Sequence, residues 1–179
     1  YLSAHVVSYM NPVTIRKGIS VLVWTVIIQW LHVILGIMWF GSSLYATFIL
    51  FPSLANVPLG EQQKIGGILG QQTSKVIGPV AGGVVLIGFL RGTFFGSLHS
   101  LDTVFGTSYG LTWLISLLLG IALILWGALI VGPRAQALVA ASTPEDYGAI
   151  QQRLIFLARI ELVGFLAIFT CMILMRFGY

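Results

Sequence analysis

Apolar residues run along this chain in stretches far too long for the interior of a soluble domain, and only a few charged or turn-forming residues break them. The first stretch covers residues 19–51, with Gln29 and His32 as its strongly polar side chains, and stops at Pro52. At a rise of about 1.5 Å per residue it is longer than a hydrocarbon core of about 30 Å, so a helix here must tilt or protrude. Residues 52–75 turn polar and glycine-rich, with Glu61, Gln62, Gln63, Lys64, Gln71 and Gln72, and read as an extramembrane connection with some helix. A second apolar stretch runs over residues 76–98 and holds Arg91. After a short connection containing Asp102 and Gly106, an uncharged third stretch occupies residues 109–132 and is closed by Pro133 and Arg134. The last element opens on Thr143-Pro144-Glu145-Asp146. Thr143 suits the cap, Pro144 the first helical position, and the two acids the positive end of a helix that continues through Arg159 and Glu161 to Met175.

The pattern predicts an all-α protein: an integral membrane four-helix bundle, up-and-down, with spans at about 19–51, 76–98, 109–132 and 150–175. Helices are the expected form because in lipid each backbone group must find its partner within its own segment. Residues 19–179 form the transmembrane domain. Residues 1–18, with Asn11-Pro12 as cap and first-turn proline and His5 as a surface residue, form an interfacial lead-in. Composition agrees: 58% of the 179 residues are hydrophobic and 8% charged, with a mean hydropathy of +0.99. A soluble domain carries about 25% charged residues. A multi-pass protein of the cell membrane is the expectation, with the lipid bilayer as its first partner.

Charge changes the picture little. Nine Lys and Arg stand against five Asp and Glu, scattered rather than gathered into a stripe, which argues against nucleic acid as a partner and for anchoring at anionic headgroups. Four spans put Arg16, Lys17, Arg91 and Arg176 on one side and Lys64, Lys75, Arg134, Arg153 and Arg159 on the other, too even a division to set orientation. The single cysteine, Cys171, excludes an internal disulfide and any CxxC motif.

Signatures of soluble enzymes, such as HExxH, GxSxG or a Walker loop, are absent. The chemistry-bearing candidates are His32, His99, Arg91, Arg159 with Glu161, and the sulfur residues Cys171, Met172 and Met175. Steps of three and four from His32 reach Gln29, Gly36, Trp39 or Phe40, and Ser43, a small and polar stripe expected to face the bundle. An imidazole there can ligate a metal or haem iron through one nitrogen while a hydrogen bond holds the other; the alternative is a histidine satisfied by a neighbouring helix carbonyl. His99, at the end of the second span, is a candidate second axial ligand or an exposed loop residue. Arg91 can hold a haem propionate or lipid phosphate in its planar fork, or snorkel to the interface. Arg159 and Glu161, two apart, point to different sides of their helix and should pair with other helices or headgroups. The sulfur residues can ligate copper or simply pack. Glycines spaced by four, Gly78 with Gly82 and Gly88 with Gly92 and Gly96, let a helix or a flat ligand approach closely.

The run Trp30-Leu31-His32-Val33-Ile34-Leu35-Gly36-Ile37-Met38-Trp39-Phe40-Gly41, followed by Leu44-Tyr45 and Leu50-Phe51-Pro52-Ser53-Leu54, resembles the first helix of CopD-like membrane proteins and of the related HemJ-type protoporphyrinogen oxidases. Ile77-Gly78-Pro79, Val131-Gly132-Pro133-Arg134 and Arg159 fit the same four-helix layout, while Gly41-Ser42 stands where those families commonly have two glycines. The resemblance implies a haem b or copper connection with His32 as metal ligand. The expected function is therefore haem binding in electron transfer or redox chemistry, with His32, His99 and Arg91 at the cofactor. The alternatives are a non-catalytic subunit of a larger respiratory or photosynthetic membrane complex, and copper transport.

Overall fold

Among the described residues four helices long and apolar enough to cross a membrane follow one another up and down, so the protein is a multi-pass membrane protein with an all-α bundle. The structure, a computed structural model, describes the backbone of residues 12–179 and side chains from residue 20. His5 and Asn11 lie outside the described residues. Helix α1 (Pro12–Tyr45) continues through a π-helical turn (Ala46–Leu50) into the short α2 (Phe51–Leu54). Then come α3 (Leu59–Thr93), the single-turn α4 (Leu101–Gly106) and α5 (Ser108–Trp126). A second π-helical turn (Gly127–Val131) leads into α6 (Gly132–Val139), and α7 (Pro144–Arg176) completes the chain.

Three boundaries differ from those the apolar pattern suggests. The polar stretch before Val76 is largely helix, because α3 starts at Leu59. Its glutamines do not break it: Gln62 donates to the Val57 carbonyl and Gln63 to the Ala141 carbonyl, which ties the first turns of α3 to the neighbouring loops. At its other end α3 stops at Thr93 rather than near Leu98, and the chain folds back so that the Leu98 N–H donates to the Gly92 carbonyl at 3.2 Å. The third span does not close at Pro133, which has no N–H to give a helix. The preceding π-turn absorbs the mismatch, with the Gly132 N–H reaching back to Gly127, and helix persists to Val139. The start of α7 follows the expected cap, the Thr143 hydroxyl accepting from the Asp146 N–H at 3.2 Å.

Helix α1 packs along α3 and α5 along α7, while α3–α5 and α1–α7 contacts close the ring. At mid-bundle Trp39, Val80, Ala81, Leu123, Leu162 and Phe165 bring all four spans together. Leu138, Ala141, Tyr147 and Leu154 fill the end where residues 55–58 and 140–143 turn, here the loop end. Leu98, Val104 and Trp113 fill the opposite, terminal end. In lipid such cores gain from close packing rather than from leaving water. The fourth span is the most enclosed, with 28% of its most apolar stretch buried against 6%, 6% and 11% in the first three.

Candidate polar site within the bundle

The stripe read along the first span faces inward. His32 and Trp39 are buried, at 7% and 5% exposure, whereas Leu31 and Ile34 beside them are exposed. The imidazole lies against α3, where Gly88 leaves room for it: a Cβ on that glycine would stand 3.0 Å from His32 Cε1. The Val84 backbone carbonyl, one turn before Gly88 on α3, lies beside the ring. One ring nitrogen, Nδ1, is buried with no hydrogen-bond partner. A buried histidine with one nitrogen that no protein group meets, and a backbone carbonyl beside the ring to hold the other, suits metal ligation.

Arg91, one turn beyond Gly88 on α3, is close enough to act electrostatically on the His32 ring. It is half-buried, and its Nε, like Oε1 of Gln29 one turn before His32, is buried without a partner. Trp113 of α5 closes the group from the third span. Its indole N–H reaches the Gly88 carbonyl at 3.4 Å, and it lies where a Cβ on Gly92 would fall 2.1 Å from Nε1. Only glycine at 92 admits that ring. Trp113 was not singled out in the sequence; its one trace there is the spacing of Gly88 and Gly92, whose bare backbone it covers.

The remaining candidates divide. His99 is exposed. Of the five spaced glycines, Gly88 and Gly92 serve close contacts; Gly78 and Gly82 have nothing within 4 Å, and Gly96 lies in the turn after α3. Arg159 is exposed while Glu161 is buried at 9%, and the Ser43 hydroxyl of the first span donates to its Oε1 at 3.2 Å. Met175 packs against the terminal-end core, and Cys171 and Met172 are half-buried on the same helix. Among the described residues no three His, Cys, Asp or Glu gather as a metal cluster.

His32 Nδ1 and the Arg91 guanidinium fit one axial position and one propionate contact of a haem, on the evidence of their orphaned buried atoms. His99, exposed, brings no buried donor. Comparison with protein-family models, curated proteins and solved structures returned no match.

Proposed function

We propose that this chain is a haem-binding protein of the cell membrane, acting in electron transfer or redox chemistry. The observation that carries the reading is the His32 imidazole, buried in the bundle beside the Val84 carbonyl with Nδ1 left without a partner. His32 would hold the iron and Arg91 a propionate, because an ionised carboxylate in a low-dielectric interior needs a guanidinium or water. Haem, when bound, supplies one-electron chemistry. The chain's own residues supply the rest: the Val84 carbonyl would orient the ring, Gly88 and Gly92 keep the helices close, and Trp113 shields the group from the third span. The resemblance of residues 30–54 to the CopD-like and HemJ-type first helix points the same way. His99 belongs to this reading only as an exposed group near the surface. Electrons would pass to or from a neighbouring membrane subunit.

The test is the absorption spectrum of the gently purified protein, oxidised and reduced. A Soret band and a reduced α-band, both lost in His32→Ala, support the reading. A featureless spectrum from protein that co-purifies stably with other subunits would replace it with the role of a non-catalytic subunit.

A further inference from the structure

We propose that Glu161 is a proton-exchanging site at the centre of the bundle, served from the loop end alone; this goes beyond the haem reading and does not depend on it. Glu161 stands near the middle of α7, at 9% exposure, in a helix that crosses the membrane. Its hydrogen-bond partner is the Ser43 hydroxyl, which donates to Oε1 at 3.2 Å, and no other polar contact reaches it among the described residues. Oε2 is thus the atom that takes up and releases the proton. Ionisable side chains so placed in a membrane interior mark proton and ion pathways, since hydrocarbon selects against them otherwise.

The titratable and charged side chains described on the elements packed against α7 leave Glu161 alone. His32 lies eleven residues before Ser43 on the same helix, about 16 Å along its axis. Tyr45 and Arg134 are exposed, and Arg134 donates to the Ile130 carbonyl. Tyr109 sits in the first turn of α5, at the terminal end. On α7 itself Arg153 and Arg159 are exposed, and Tyr147 belongs to the loop-end core.

The two directions away from Glu161 differ. Toward the terminal end Trp39, Phe40, Phe165 and Phe169 stack edge to face, with centroids 4.9 Å apart for Trp39–Phe165 and for Phe40–Phe169, a block of rings between Glu161 and the His32 level whose one polar group is the Trp39 indole N–H. Toward the loop end the seam between the first and fourth spans holds Thr47, at 2% exposure and donating to the Ser43 carbonyl, the small Ala158, and the Gln151 amide on the Phe51 carbonyl at 2.7 Å. The first span passes this seam as a π-helical turn, a wider backbone that recurs at functional sites.

Infrared spectroscopy of the full purified protein tests the proposal. The expected result is a protonated-carboxyl stretch that titrates with bulk pH, is lost in Glu161→Gln, and shifts in Ser43→Ala as the hydrogen bond goes. Should Glu161→Gln fail to fold, Glu161→Asp must retain the band at an altered frequency. Exchange of the band into deuterium oxide should slow in Thr47→Leu and keep its rate in Phe169→Ala. Three results would overturn the proposal: no band assignable to Glu161, a band indifferent to pH, or one removed by sodium at constant pH, which would make the ligand a metal cation. A slowing in Phe169→Ala but not in Thr47→Leu would overturn the stated sidedness.

Discussion

The two ends of the bundle treat buried polar groups differently. At the loop end Gln63 and Gln151 donate to backbone carbonyls of other segments, at Ala141 and Phe51, and Gln62 donates to Val57 in the loop before its own helix, although Gln62 Oε1, and Trp126 Nε1 between there and mid-bundle, have no partner. At the terminal end Gln29 Oε1, His32 Nδ1 and Arg91 Nε are enclosed with no protein partner. A satisfied buried amide is a structural fastener, whereas a buried donor or acceptor with no partner is costly unless something outside the chain meets it. The loop end is thus fastened across segments by amide donors, whereas the unpartnered atoms of the terminal end gather around His32.

The comparison can be broken by substitution. The largest effect is expected at Gly92→Ala, where the new Cβ collides with the rigid Trp113 indole and pushes it off the Gly88 carbonyl. Overpacking of this kind costs about 1–3 kcal/mol, read as a lower Tm in detergent, while Gly82→Ala, with nothing within 4 Å, should leave Tm nearly unchanged. Next comes Gln151→Leu, which strands the Phe51 carbonyl at the loop end and should cost about 1–2 kcal/mol in the same assay. At the terminal end Gln29→Leu removes an acceptor that has no partner, so stability should hold or rise. A loss there as large as that of Gln151→Leu would erase the distinction between the ends. Smallest of all, His99→Ala, on an exposed residue, should fall within about 0.5 kcal/mol and leave any chromophore intact.

Much of this was legible in the sequence. Long apolar runs can only be membrane helices, and the three-and-four spacing from His32 to Ser43 placed both on the enclosed face. Thr143-Pro144 marked the start of α7 because capping is a local property. Helix ends that depend on partners elsewhere were hidden. Nothing in residues 52–75 announces that Gln63 will find the Ala141 carbonyl, and Pro133 reads as a stop until a π-turn accommodates it. Within the site, Arg91 was visible as a charge in an apolar run, whereas Trp113 was not, since an aromatic in an uncharged span resembles any other packing residue. Glu161 was expected to pair with another helix or with headgroups, and its pairing with Ser43, 118 residues away, is a product of the tertiary fold.

The most direct test of the account is the amount of haem bound per protein in wild type, His32→Ala, Arg91→Leu and Arg91→Lys, each purified identically. Wild type should carry haem and His32→Ala should carry none, because Nδ1 is the proposed iron ligand. Arg91→Leu should retain it weakly, and Arg91→Lys should fall between, keeping the charge but losing the planar fork. Equal occupancy in all four, or a wild type that takes up no haem, would contradict the site built on His32.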